Sequence, residues 1–146
     1  MWSENFKNYI FKIFKLEDTS EVDFKIKNIL ERLESSFEKP EALPNLFKDS
    51  GSLALSILSK KYGLNPHEIL EECYELGVKK NADYGNENIL RFGVKGLIVR
   101  ISDKYARVEN LLEKKPEVFD ESVKDTLKDV INYSTYGVML CDKVWY

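Results

Sequence analysis

Between residues 96 and 112 the apolar side chains Leu97, Ile101, Tyr105, Val108 and Leu112 recur at intervals of three and four. That spacing gathers side chains on one face of an α-helix. Val22, Ile26, Ile29, Leu30, Leu33 and Phe37 repeat it, as do Val123, Leu127, Val130, Ile131, Ser134 and Val138. Alternation at two, the mark of a half-buried strand, is scarce. A chain patterned this way must bury helical stripes against one another, so the expected fold is all-α, a bundle of four to six helices. At 146 residues and 43% hydrophobic it has material for one sizeable core, and the whole chain is read as a single domain.

Within that domain the pattern predicts an N-terminal helical pair over residues 1–45 and a core over residues 50–142. The first helix is expected at residues 3–16, with Phe6, Ile10, Ile13 and Phe14 on one side and lysines on the other. Its aromatic weight suits docking onto the core or onto a partner subunit. The second is expected at residues 21–38. "KPEALPNLFKDSGS" then interrupts the periodicity with Pro40, Pro44 and Gly51, which predicts a loop and hinge. "SLALSILSKKYG" reads as a short buried helix closed by Gly63. Asn65, Pro66 and Glu68 spell the start of the next helix, as N-cap, first helical residue and capping-box partner. Lys114 to Pro116 are expected to end the helix after that, and the last one runs from Asp120 or Glu121 to about Cys141.

Composition narrows the function. Twenty-two basic against 25 acidic residues give a net charge of −3, which supplies no field for duplex nucleic acid or an anionic membrane. Glu4, Lys7, Lys12 and Lys15 break up the apolar N-terminus, so no spanning or signal segment is read there, and the expected location is cytoplasmic. Cys73 and Cys141 stand far apart with His67 as the one imidazole, a set that suits neither a zinc cage nor a disulfide framework. Both read as small buried hydrophobes.

Chemistry is concentrated on the faces opposite the apolar stripes. Glu72, Glu75 and Lys79 share one side of a helix, and Arg100, Asp103, Lys104 and Arg107 share one side of the next. On the last helix Glu121, Asp125, Asn132 and Tyr136 occupy one sector, with Asp129 beside them. A solvated face with intrahelical ion pairs is the simplest account of any one stripe. Short acids followed by Asn132, Tyr133 and Tyr136 suit partly buried contact instead, and Arg100, Lys104 and Arg107 surround a single acid. These features predict a polar cleft between helices. Glu72 and Glu75 with Glu121, Asp125 and Asp129 form an all-oxygen donor set of the kind Mg²⁺ or Mn²⁺ takes, completed by a phosphate-bearing ligand. Arg and Lys opposite would hold the phosphate oxygens, and Tyr84 or Phe92 would stack on a base. The loop "KKNADYGNENILRF" joins the acidic and basic stripes and carries Asp83, Tyr84, Asn88 and Arg91, more polar and aromatic groups than a turn needs.

"DYGNEN", "FGVKGLIVRISDKYARVENLL" and "DESVKDTLKDVINY" together resemble the nucleotide-modification-associated domain of phage and bacterial genomes, itself similar to the all-α, MazG-like NTP pyrophosphohydrolases. The shared pattern runs from Asp83-Tyr84-Gly85 and Asn88 through Gly93, Gly96, Arg100, Asp103-Lys104 and Arg107. It continues through Glu121-Ser122, Asp125-Thr126, Asp129, Asn132 and Tyr133. The resemblance covers residues 71–140 and implies a MazG-like helical fold, a nucleotide ligand, and a place in phage nucleotide metabolism or in the contest of phage and host, in the host cytoplasm if the chain is phage-encoded. It also implies a homo-oligomer, dimer or tetramer. MazG-like enzymes carry a Glu-x-x-Glu helix and a later Glu-x-x-Asp helix. Glu72 and Glu75 match the first, while Asp125 and Asp129 stand four apart, with Glu121 one turn back.

Two functions are expected. One is Mg²⁺-dependent hydrolysis of a (deoxy)nucleoside triphosphate to monophosphate and pyrophosphate, with Glu72, Glu75 and Asp125 catalytic. The nucleotide would then lie among Lys79, Asp83, Tyr84, Asn88, Arg91, Arg100, Lys104, Arg107, Asn132 and Tyr133. The other is a sponge that sequesters a cyclic or ADP-ribose-type signalling nucleotide uncut.

Overall fold

The computed structural model describes residues 1–114 and 120–146. Six α-helices form among them: α1 Trp2–Ile10, α2 Val22–Ser35, α3 Leu43–Ser56, α4 Pro66–Tyr84, α5 Gly93–Lys114 and α6 Glu121–Cys141. The described residues contain no strand, as the three-and-four periodicity requires.

The bundle is built around α6, which packs along α3 on one side and α5 on another, with α1 and α4 closing over it. Its start is set by Asp120, whose carboxylate accepts from the Ser122 N–H at 2.7 Å. The expected face of Val123, Leu127, Val130, Ile131, Ser134 and Val138 is buried. Beyond Val130 the burial extends round the helix to Asn132, Thr135, Tyr136, Gly137 and Met139. Small residues permit this: the Ser50 and Ser134 hydroxyls meet at 2.7 Å, and a Cβ on Gly137 would lie 2.5 Å from the Phe47 ring. The α5 stripe Leu97, Ile101, Tyr105, Val108 and Leu112 is buried as read. α5 ends at Lys114, and Pro116 lies outside the described residues.

α4 starts as its sequence predicts. The Asn65 side-chain oxygen accepts from the Glu68 N–H at 3.1 Å, and Pro66 occupies the first turn, where its missing N–H is no loss.

The N-terminal third departs from expectation. α1 stops at Ile10 rather than near residue 16, because the following backbone finds partners outside a helix: Lys15 and Glu17 N–H groups donate to Ser52 and Ser56 hydroxyls of α3, at 3.0 and 2.9 Å. Phe14 thereby lies over Gly51, where a Cβ would come within 2.1 Å of its ring. The segment expected to be a hinge is largely helical: Pro44 sits in the first turn of α3, and Gly51 lies inside that helix as the close-approach point for Phe14. "SLALSILSKKYG" is accordingly the second half of α3 plus one wider π-turn, Ile57–Lys61. Gly63 follows at φ 74°, as its expected role at the helix end requires. α2 ends at Ser35, and Phe37, expected on its apolar face, is 52% exposed because Ser36 takes the buried place and bonds the Leu33 carbonyl at 2.7 Å. α1 buries Trp2, Phe6 and Ile10 within its own chain, with the Phe6 ring 5.2 Å from Tyr136 and 5.4 Å from Tyr74.

Candidate functional site

A polar cleft opens where the end of α4 and the loop after it meet α5 and α6. α4 contributes Lys80, Asn81 and Tyr84, the loop Gly85, Asn88 and Ile89, α5 Arg100, and α6 Asp129, Asn132, Tyr133 and Tyr136, around about 330 Å³. That volume is at the small end of ligand sites in general.

Local structure explains the cleft's shape. Gly85, at φ 87° and ψ 155°, lets the chain leave α4 while its N–H still bonds the Asn81 carbonyl at 2.7 Å. The Asn81 and Asn86 side chains bond each other, and the Trp145 indole N–H donates to the Asn86 carbonyl at 2.8 Å. The loop is thus held at its root by the last turn of the chain. Trp145 itself is buried against Trp2 and Tyr136, with ring centroids 5.6 and 5.4 Å away.

Inside the cleft, Asp129 binds two lysines from different helices. Lys80 Nζ lies 3.2 Å from Oδ1 and Lys104 Nζ 3.0 Å from Oδ2. Arg100 lies over the Tyr133 ring, its guanidinium carbon 5.7 Å from the centroid. It has no carboxylate partner among the described residues. Three cations therefore surround one carboxylate, and the local field attracts anions. One turn beyond Asp129, Asn132 is buried and donates through Nδ2 to the Cys73 carbonyl at 3.0 Å. A carbonyl can only accept, so this bond fixes the amide's orientation. Oδ1 is left buried with no hydrogen-bond partner among the described residues. Tyr84, 70% exposed, stands at the rim. Burial pushes the Tyr136 phenol above its ordinary range and the Cys73 thiol up to about 12, so Cys73 is the inert buried group expected.

Of the nucleotide-binding residues read from the sequence, Tyr84, Asn88, Arg100, Asn132 and Tyr133 line the cleft, and Lys104 adjoins it through Asp129. Lys79, Asp83, Arg91 and Arg107 are exposed and do not line it. The difference on α4 is one of helical phase: the face turned inward carries Cys73, Gly77, Lys80 and Tyr84, displaced by one to two residues from Glu72, Glu75 and Lys79. Gly77 fixes that phase, since a Cβ there would lie 2.6 Å from the Phe6 ring and 2.9 Å from the Tyr136 hydroxyl. Lys80, Asn81, Gly85 and Ile89 are cleft residues that the sequence reading missed, and continuing the Cys73-Gly77 register by four and seven would have pointed to Lys80, Asn81 and Tyr84.

The metal set of Glu72, Glu75, Glu121, Asp125 and Asp129 is not brought together. Glu72 and Glu75 border a separate hollow beside Glu68, Glu71 and Lys124, with Lys124 Nζ 3.4 Å from Glu72 Oε1. The α4–α6 contact sets a lysine, not Asp125, opposite Glu72. Asp129 is engaged by its two lysines, and Glu121 and Asp125 are exposed and line neither hollow. No three His, Cys, Asp or Glu among the described residues are grouped to hold a metal ion. These donors do not fit a Mg²⁺ centre. No described helix is long and apolar enough to cross a membrane.

Residues 80–140 match the model of a protein family described as Nucleotide modification associated domain 1. The resemblance to the nucleotide-modification-associated domain is borne out over that stretch, and every residue lining the cleft falls inside it. Searches of curated proteins and of solved structures gave no match.

Proposed function

With residues 80–140 matched to the nucleotide-modification family as the premise, we propose that the chain is a nucleotide-binding protein whose site is the α4–α5–α6 cleft. The observation that carries this reading is the surplus of positive charge around Asp129, set beside Tyr133 and Tyr84 in a hollow of single-ligand size. Lys80, Lys104 and Arg100 would take phosphate oxygens, and the aromatic side chains would take the base. Of the two expected activities the geometry favours retention of the ligand over its cleavage, because the carboxylates expected to work together are spread over two hollows and the outer surface. Sequestration of a signalling nucleotide is one biological use of such a site.

Calorimetry with nucleoside mono- and triphosphates, cyclic nucleotides and ADP-ribose tests the proposal, followed by mass analysis of the recovered ligand. Binding that is lost in Arg100→Ala and weakened in Lys80→Ala, with ligand recovered intact, supports it. Release of pyrophosphate from a triphosphate would replace it with the hydrolase reading, and an empty panel would remove both. A homo-oligomer, dimer or tetramer, belongs to the proposal as well, since Phe92 and Val99 expose apolar surface at 74% and 53%. Light scattering decides that part, and a monomer at all concentrations would remove it.

A further inference from the structure

Asp129 is the one anion among the charged side chains lining the cleft, and both its oxygens are already engaged. The lysines that engage it remain open to solvent: Lys80 is 48% exposed and Lys104 30%, against 17% for Asp129. Each ammonium has three N–H donors and directs one toward Asp129, so both can serve a ligand without releasing it. Arg100 adds a third cation from the α5 wall. A ligand therefore meets a field that is net positive but reduced by a fixed carboxylate.

The energy of a charge in such a field scales with that charge. A terminal phosphomonoester carries close to −2 at neutral pH, whereas a phosphodiester, as in a cyclic nucleotide, carries −1. Every attraction and the repulsion from Asp129 count twice for the first and once for the second. We infer that the cleft selects nucleotides bearing a terminal phosphomonoester over cyclic or internal phosphodiesters, and that Asp129 opposes ligand binding rather than assisting it through a metal. This inference rests on the nucleotide-binding reading and names the ligand class within it. Among the ligands considered from the sequence, it sets open nucleotides ahead of cyclic signals.

The test is calorimetry in EDTA on the full chain, comparing the 5′-monophosphates of adenosine, guanosine, cytidine and uridine with the corresponding 3′,5′-cyclic monophosphates. The preferred base should show roughly tenfold or greater preference for the open form, and the preference should shrink with added salt. Asp129→Asn should tighten both forms, the monoester more, and Lys104→Ala should weaken the monoester more than the diester. Thermal melts confirm that Asp129→Asn is folded, and Lys80→Ala gives the same readout as Lys104→Ala from a more exposed position. Equal or tighter binding of the cyclic forms would overturn the inference while leaving the nucleotide reading in place. So would weaker binding in folded Asp129→Asn, or binding that appears only when Mg²⁺ is restored. Absence of binding by all eight probes, in wild type and Asp129→Asn alike, would overturn the inference, and the nucleotide reading falls with it if nucleoside triphosphates and ADP-ribose also fail to bind.

Discussion

Asn132 shows how one side chain joins the core to the cleft. Its Nδ2 satisfies the Cys73 carbonyl at 3.0 Å, while its Oδ1 has no partner among the described residues. Asn132→Ala removes a second donor from a carbonyl inside α4, together with the partnerless Oδ1, so we expect a loss of about 0.5–1.5 kcal/mol, measurable by urea unfolding. A change below a few tenths would show that the carbonyl finds another donor. Cys73 predicts a second residue-scale outcome. Its thiol is fully buried and raised to about 12, whereas Cys141 is only partly buried and less strongly raised. Iodoacetamide at mild pH should label Cys141 first and Cys73 only on unfolding, and equal labelling rates by mass spectrometry would contradict this. The residue types at the site were legible, because Asn132, Tyr133 and Arg100 are poor choices for a plain solvated face. Lys80 was not, because two adjacent lysines differ only in helical phase, and that phase is set by what Gly77 packs against.

Helix existence was readable where a cap or a strong periodicity marked it, the cap at Asn65 for α4 and the apolar stripe for α6. The failures came where tertiary partners competed with local pattern: serines of α3 captured the backbone after α1, and Gly51 served a packed ring rather than a turn. The α3–α6 seam yields a test of that packing. Ser50 Oγ bonds the Phe47 carbonyl at 3.0 Å as well as the Ser134 hydroxyl, and Ser134 Oγ has Ser50 as its side-chain partner among the described residues. Ser50→Ala strands a buried hydroxyl and should cost about 1–3 kcal/mol. Ser134→Ala leaves Ser50 bonded and should cost less, about 1 kcal/mol or under. Equal costs in chemical denaturation would mean that the seam relaxes around either change.

On the scale of the whole molecule, both ends of the described chain close one aromatic cluster behind the cleft. Trp2 and Trp145 meet Tyr136, and the Asn5 side chain donates to the Val144 carbonyl at 3.1 Å. Trp145→Ala should therefore cost about 3–5 kcal/mol, as large aromatic truncations do. It should also weaken ligand binding, because the Asn86 carbonyl loses its donor. A melting temperature equal to wild type would refute that coupling. Burial also raises Cys73, Tyr105 and Tyr136 together. Unfolded thiols ionise near pH 8.5 and tyrosines near pH 10. Above those values the unfolded chain sheds protons that the folded one keeps. Stability should be full below about pH 8.5 and fall as pH rises toward 11. A melting midpoint unchanged between pH 8 and 11 would count against the buried state of these groups.

The sequence by itself determined that this chain is helical, which faces of α5 and α6 go inward at their apolar positions, and that a polar site lies near the loop after α4. Those properties follow from periodicity, capping and residue type, all local in the chain. The tertiary structure decided which charges meet. Helical periodicity places a carboxylate on a face but cannot say what stands opposite: the α4–α6 crossing set Lys124 against Glu72 and Lys80 against Asp129, and the α5–α6 crossing set Lys104 against Asp129. The acids that read in sequence as one metal centre are thereby separated, and of the five only Asp129 stands in the cleft, ion-paired with positive charge to spare.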